Sequence, residues 1–344
     1  MNVLRQVLGV DVAQKELVVT LGRLTEDLSS DLYLRRKFAN KETGFVALLK
    51  WLKKNTVETS PLRVVLEATG VYHQKFIYYL DDQNIELTVV LPNKISNYMR
   101  TLSVKTITDD TCADAIALFG LERKLENWKR PDKTYKTLLQ LTRERNQVVE
   151  ERVVIKNQIH AEKSEAEPNA RSLKRLNERL KFMNKQEREI KSDIEACLKN
   201  DKSLGEIVDR ICTIPGVGKL TAVTILGETN GFEMIRNKKQ LTSYAGLDVK
   251  EKQSGTSVKG KPRISKKGNR HIRKAMHFPA LSAIRHEECY KDFFTRLVSR
   301  HGIKMKAVTA VQRKLLELTF ILFKNESVYS SQKINLNEKE RQLQ

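Results

Sequence analysis

The apolar positions of the N-terminal third change period several times, and each change predicts an element. Val7-Leu8-Gly9-Val10-Asp11-Val12 is a nearly continuous apolar run of the kind that forms a strand buried on both faces. Leu17-Val18-Val19-Thr20-Leu21 continues a second strand to Leu24, with Gln14-Lys15-Glu16 as the turn between them. A third strand is expected near Leu32–Phe38. Phe45, Leu48, Leu49 and Leu52 then recur at helical spacing behind Asn40, which is expected to cap that helix. Arg63-Val64-Val65-Leu66-Glu67 predicts another buried strand, followed by a helix over 72–82 and a strand over Ile85–Leu91. Further helices are expected from near Asn93 and from Thr108.

Three consecutive strands, then helix, strand, helix, strand and helix, is the element order of an RNase H-like α/β domain. Two acids interrupt its apolar runs, Asp11 and Glu67, and an ionised carboxylate among buried residues is costly unless something relieves it. A divalent cation shared with other carboxylates is the usual relief. Asp109, Asp110 and Asp114 supply further acids at the start of the last helix.

From Tyr135 to about Leu198 glycine is absent and Lys, Arg, Glu and Gln dominate. Leu173, Leu176, Leu180, Met183, Glu187, Ile190, Ile194 and Cys197 alternate spacings of three and four, a heptad seam broken at Glu187. A looser seam runs through Leu138, Leu141, Val148, Ile155 and Ile159, and Pro168 separates the two arms. The pattern predicts an antiparallel helical hairpin, either a coiled coil that joins copies of the chain or a linker packed on its own domain.

Ile214-Pro215-Gly216-Val217-Gly218-Lys219 has the form of a helix–hairpin–helix turn, in which glycines let the backbone approach a phosphate at a helix N-terminus. Between Lys250 and Lys274 stand ten basic residues and one acid, Glu251. Lys259, Lys261, Arg263, Lys266, Lys267, Arg270 and Arg273 belong to this segment, which with Gly216, Gly218 and Lys219 forms the expected nucleic-acid surface. Arg270 to Arg285 reads as a helix, and the tail after Glu326 is polar.

Composition sharpens this picture. Lys and Arg total 63 against 42 Asp and Glu, a net charge of +21, which predicts a polyanionic partner. No apolar run is long enough for a transmembrane helix, so no membrane role is expected. Cys112, Cys197, Cys212 and Cys289 have neither zinc nor disulfide spacing, which with the absence of a cleavable signal predicts a reducing, cytoplasmic setting.

In chain order, Gly9-Val10-Asp11-Val12, Leu66-Glu67-Ala68-Thr69-Gly70-Val71-Tyr72, Thr108-Asp109, Asp114-Ala115 and Ile214-Pro215-Gly216-Val217-Gly218 form a specific series. Tyr244-Ala245-Gly246-Leu247, Gln253-Ser254-Gly255 and Arg263-Ile264-Ser265-Lys266-Lys267-Gly268 complete it. The whole resembles a DEDD-type insertion-sequence transposase, of the family described as bridge-RNA-guided recombinases. That resemblance implies a RuvC-like domain over 1–130, a coiled-coil hairpin over 131–203 and a mainly α C-terminal transposase domain with a helix–hairpin–helix over 204–328, before a polar tail over 329–344. It implies that Ser254 attacks a DNA phosphodiester to form a 5′-phosphoserine, assisted by Mg²⁺ (or Mn²⁺) on the carboxylates. It further implies donor and target DNA and a structured guide RNA as partners, a dimer or tetramer through the coiled coil, and association with the nucleoid.

The chain departs from the family at the last two acids, where the pattern is Thr-Asp and then Asp-Ala three residues later. Anchored on Thr108-Asp109 the later position is Cys112; anchored on Asp114-Ala115 the earlier one is Thr111. On a helix Asp110 and Asp114 share a face, whereas Asp109 and Asp114 diverge. Asp110 and Asp114 are therefore the preferred partners of Asp11 and Glu67, with Asp109 as the alternative; Cys112 is set aside because a thiol is a poor Mg²⁺ ligand. A three-carboxylate site stays open, as does helix capping by Asp109 and Asp110. The competing functions are a RuvC-type junction nuclease that uses water, and a binding protein with a degenerate acid site, in which Ser254 is an ordinary loop serine.

Overall fold

A computed structural model of the chain describes residues 2–68, 70–102, 104–233, 235–251, 253–254, 258–260 and 262–330, with the side chains of 253, 254, 258 and 259 left aside. The chain divides into two compact units, Met1–Arg130 and Pro131–Gln344.

The first unit contains β1 (Val3–Val12), β2 (Glu16–Thr25), β3 (Ser30–Ala39), α1 (Glu42–Asn55), β4 (Leu62–Glu67), α2 (Gln74–Asp82), β5 (Leu87–Val90), α3 (Pro92–Met99) and α4 (Asp109–Glu122). Its sheet has the order β3-β2-β1-β4-β5, with β1 antiparallel to β2 and parallel to β4. Burial explains the order. Val7, Leu8 and Val10 of β1 and Val64, Val65 and Leu66 of β4 are all almost wholly buried, which suits central strands covered on both faces. β3 carries exposed Arg35, Arg36 and Lys37 and lies at the edge, where charge discourages pairing with another sheet. One face packs on α1 and α2 through Phe45, Leu48, Phe76 and Leu80; the other packs on α3 and α4 through Ile95, Tyr98 and Ile116. This mixed sheet between helices agrees with the RNase H-like expectation. Asn40 does not cap α1: its amide donates to the carbonyls of Ala13 and Tyr72, and Lys41 takes the cap position without a side-chain bond.

The second unit opens with α5 (Lys133–Lys163) and α6 (Ala170–Asn200), each of 31 residues. Arg145 and Arg152 of α5 meet Glu187 of α6, and the Glu162 carboxylate accepts from the Asn169 amide at the bend, so the two helices are antiparallel. Ile190 and Ile194 lie in the seam as expected, but Leu198 rather than Cys197 ends it. Glu187, the expected break, is buried and bonded to Arg145, Arg152 and Lys191. Burial pushes its carboxyl up, but the hydrogen bonds and charges of Lys191 and Arg145 outweigh burial and bring its pKa down to about 2.

The chain continues through α7 (Lys202–Cys212), α8 (Lys219–Thr229) and α9 (Lys238–Tyr244). Four two-residue strands follow, β6 (Val249–Lys250), β7 (Gln253–Ser254), β8 (Val258–Lys259) and β9 (Arg263–Ile264). α10 (Arg270–Ala275), α11 (His277–His286), α12 (Glu288–His301) and α13 (Lys304–Lys324) close the unit. The helix expected over 270–285 is thus two helices joined at Met276, whose backbone stays helical. One apolar core, from Leu138 through Ile225, Leu241 and Ile272 to Leu316, unites the helices of this unit. Among the described residues no helix is long and apolar enough to cross a membrane.

Candidate active site

Register brings the first two acids together. β1 and β4 run parallel with Val10 opposite Leu66, so the next residues, Asp11 and Glu67, stand side by side where both strands end. α4 lies directly on β1 because the helix presents small residues and the strand presents Gly9. A Cβ on Gly9 would meet the carbonyl oxygen of Ala113 and the nitrogen of Ala117, each at 2.4 Å. Thr108 starts the helix as a capping box, accepting from the Thr111 amide while the Thr111 hydroxyl accepts from the Thr108 amide. Asp109 and Asp110 therefore occupy the first turn without serving as the cap.

That placement sets which acids come near Asp11. The Asp11 pKa is raised to about 6, first by burial and then by the negative charges of Asp109 and Glu67, against a lowering hydrogen bond from the Val12 backbone. The Cys112 thiol is pushed up by burial and by Asp11, Glu67 and Asp109 in turn. Asp11, Glu67, Asp109 and Cys112 thus lie in one electrostatic field.

The preferred pair, Asp110 and Asp114, faces elsewhere. Asp114 accepts from the Thr20 hydroxyl at 2.8 Å and from Arg35 through Nε at 2.8 Å and Nη2 at 2.6 Å. Asp110 adds to the negative field on the same Arg35. The two do share a helix face, as their spacing requires, but it is the face toward β2 and β3. The structure thus brings Asp109, the alternative, into the field of Asp11 and Glu67, and turns Asp110 and Asp114 toward Arg35 instead. Thr20 and Arg35 escaped the sequence reading because a lone threonine and an arginine on separate strands carry no spacing signal. The signal for Asp109 was the family spacing anchored on Thr108, which puts Cys112 three residues on.

Asp11, Glu67 and Asp109 supply hard oxygen donors, a set suited to Mg²⁺ or Mn²⁺, and their mutual repulsion is what a cation would relieve. Among the described residues no group of three or more His, Cys, Asp or Glu stands close enough to hold an ion. Exposed apolar residues follow or precede the same strand and helix ends: Val71 and Tyr72 after β4, Leu91 after β5 and Ile107 before α4.

In the second unit, the four short strands form two antiparallel pairs. β6 pairs with β9 at the base and β7 with β8 beyond, with Ser254 opposite Val258. The Ser254 side chain, like that of Lys259, and all of Lys261 lie outside the described residues. The base is clamped on both sides. The Ser265 hydroxyl bonds Asp248 at 2.5 Å, the Lys266 amide donates to the Gly246 carbonyl, and the Asn269 amide donates to the Tyr244 carbonyl at 2.7 Å. Arg273 Nη1 donates to the carbonyls of Ala245 and Gly268. Gly268 allows the close approach, since a Cβ there would meet the Tyr244 oxygen at 2.4 Å.

Below the clamp lies a buried carboxylate that sequence reasoning missed. Glu228 of α8, its side chain 1% exposed, accepts a two-pronged bond from Arg143 of α5 at 2.9 and 3.0 Å and a third from Asn269 Nδ2 at 2.6 Å. Asn269 also caps α10 through the amides of His271 and Ile272, so one residue links loop, helix and Glu228. The Asn before a basic helix was the available sign of a cap.

The residues expected to touch nucleic acid divide by geometry. Arg263, Lys266, Lys267 and Arg270 are exposed, whereas Arg273 is spent on internal carbonyls. Gly216 has φ +80° and packs so closely on α11 that a Cβ would meet the Pro279 oxygen at 2.5 Å, so this glycine serves the fold. Gly218 opens onto free space as the N-cap of α8, and Lys219 beside it reaches Glu195 of α6 at 3.1 Å.

Known proteins resemble the chain over both units. A family model described as Transposase, the DEDD transposase domain of IS110 elements, matches residues 8–162, and one described as Transposase IS116/IS110/IS902 family matches residues 208–295. The chain is 23% identical over 322 residues to the pilin gene-inverting protein of Moraxella lacunata, covering 92% of this chain and 95% of that one. It is 27% identical over 143 residues to the transposase for insertion sequence element IS1111A of Coxiella burnetii, covering 40% and 38%. Among solved structures, T. thermophilus RuvC in complex with a Holliday junction substrate aligns at 10% identity and TM-score 0.28, covering 36% of this chain and 99% of that one.

Proposed function

The chain belongs to the IS110 family of DEDD-type insertion-sequence transposases, enzymes that break and rejoin DNA, and from that premise we propose that it exchanges strands through a covalent phosphoserine. The observation that supports metal-assisted DNA cutting is the meeting of Asp11, Glu67 and Asp109 in one field where β1, β4 and α4 converge, and the serine step rests on the likeness to the family. Ser254 attacks a DNA phosphodiester: its oxygen forms a bond to phosphorus, the bond to the 3′ oxygen breaks, and the strand ends as a 5′-phosphoserine and a 3′-hydroxyl. That hydroxyl then attacks the phosphoserine of a second strand and releases the serine. Asp11, Glu67 and Asp109 would hold a divalent ion, Mg²⁺ or Mn²⁺, whose chemistry is to offset charge on a phosphoryl group and its leaving oxygen. Asp114 holds α4 to the sheet through Thr20 and Arg35, which keeps Asp109 turned toward Asp11. The clamp of Asp248, Ser265, Asn269 and Glu228 fixes the base of the segment that carries Ser254.

The open backbone at Gly218, with Lys219, Arg263, Lys266, Lys267 and Arg270, suits phosphate contacts, and the net charge of +21 suits a large nucleic-acid partner, donor and target DNA together with a structured guide RNA. The α5–α6 hairpin is the element proposed to join subunits as a dimer or tetramer. The second reading, a metal-dependent junction nuclease using water, draws on the same three carboxylates. Denaturing electrophoresis of the protein trapped on element-end DNA separates the two. A protein–DNA adduct that disappears in Ser254→Ala supports the recombinase, and cleavage that continues in Ser254→Ala without an adduct supports the nuclease.

A further inference from the structure

Helices α10 and α11 run almost continuously from the clamp, and one line along them is solvent-facing: Arg270, Lys274, Phe278, Leu281 and Arg285, spaced four, four, three and four. This is the i, i+4, i+7 rhythm of a single helix face. Phe278 is 77% exposed and Leu281 41%, while their neighbours Met276, Pro279, Ala280 and Ala283 are buried in the core. The bland account of an exposed apolar side chain is that single ones are common on any surface. Here an aromatic and an aliphatic residue adjoin, with cations at both ends of the row. Arg270 lies about 12 Å before Phe278 and Arg285 about 10 Å beyond it, at 1.5 Å per residue. The row is not wholly free of acid, since Lys274 bonds Glu150 of α5 at 2.7 Å and Glu150 also feels Arg270. The His277 ring stands 5.6 Å from that of Phe278, edge-on, and leaves the exposed side of Phe278 open.

Cations flanking an exposed aromatic ring are what a single nucleic-acid strand requires: charge for the backbone and a flat apolar face for an unstacked base. The row begins at Arg270, directly after the loop that closes the Ser254 segment. We propose that this face of α10 and α11 holds unpaired DNA beside the cut, with Phe278 stacking on a base and Arg270 and Arg285 meeting phosphates on either side. The proposal rests on the DNA-exchanging function above, but its test needs no catalysis and so fails independently of the serine mechanism.

The probe is a fluorescent 20-nucleotide DNA strand, with the matching duplex and the RNA strand of the same sequence as controls, titrated with the full chain at fixed salt. Phe278→Ala is expected to weaken the single DNA strand about tenfold while duplex affinity stays within about twofold, the size expected for one stacked base. Phe278→Trp is expected to keep wild-type affinity, which an unspecific surface effect would not restore. Unchanged single-strand affinity in Phe278→Ala, an equal loss on duplex, or a loss confined to RNA would overturn the proposal. So would a change in sedimentation on Phe278→Ala, which would make the row a contact between copies of the chain.

Discussion

Asp11 and Glu187 are both carboxylates drawn away from water, and the chain surrounds them in opposite ways. Glu187, between two long helices, is met by Arg145, Arg152 and Lys191, and its pKa falls to about 2. Asp11, where β1 and β4 end, is acted on by Asp109 and Glu67, and its pKa rises to about 6. Burial opposes ionisation in both places, so the neighbours make the difference. A structural acid has its cations built into the fold. An acid placed among acids is set for a cation from elsewhere, which is how metal-dependent sites are made.

The largest effect is expected from breaking the acidic side of the comparison. Asp11→Asn should lower strand exchange by about a thousandfold or more, since a metal ion's stabilisation of phosphoryl charge is several kcal/mol and each 1.36 kcal/mol is tenfold. The same change should raise the melting temperature of metal-free protein at pH 8, because it removes a carboxylate that is ionised at that pH and that folding half-buries beside two others. Activity and stability moving in opposite directions, read by a strand-exchange assay and calorimetry, separates a site residue from a packing residue.

On the other side, Arg145→Ala should destabilise the second unit by about 3 kcal/mol in urea unfolding at pH 7, because Glu187 stays buried with part of its compensation gone. Gly9→Ala tests the approach that brings α4 onto β1. With backbone atoms only 2.4 Å from the new methyl group, a cost of about 1–3 kcal/mol is expected together with weaker Mn²⁺ binding, measured on one preparation by melting and titration calorimetry.

A smaller effect follows from pH. Asp11 binds its proton more tightly folded than unfolded, so in metal-free protein its contribution to stability is greatest below pH 3.8 and falls as pH rises from there through about 6. Glu187 does the reverse: its contribution is present above pH 4.5 and is lost as pH falls toward about 2. The Asp11 contribution should be about 1 kcal/mol, reduced by the water that still reaches a half-buried group. Melting curves across pH 3–8 should flatten in the upper window for Asp11→Asn and in the lower window for Glu187→Gln.

Much of this was legible from residue order. The runs Val7–Val12 and Arg63–Glu67 announced central strands because both faces are apolar, and once those strands are parallel neighbours their terminal acids must meet. The choice among Asp109, Asp110 and Asp114 was not legible. Helical spacing tells which acids share a face but not which way the face points, and that direction depends on Gly9 against Ala113 and on Thr20 and Arg35 holding Asp114. Glu187 showed as a fault in a heptad seam, and its partners lie across the hairpin on α5, where no local pattern links them. Glu228 was hidden for the same reason, its partners Arg143 and Asn269 being far away in sequence.

The measurement that bears most directly on the acidic site is Mn²⁺ binding by titration calorimetry to Asp109→Asn and Asp114→Asn, each confirmed folded by its melting curve. Asp109→Asn should lose most of the binding seen in the wild-type protein, and Asp114→Asn, which keeps an oxygen for Thr20 and Arg35, should retain it. Full binding in Asp109→Asn with loss in Asp114→Asn would contradict the placement of Asp109 beside Asp11 and Glu67.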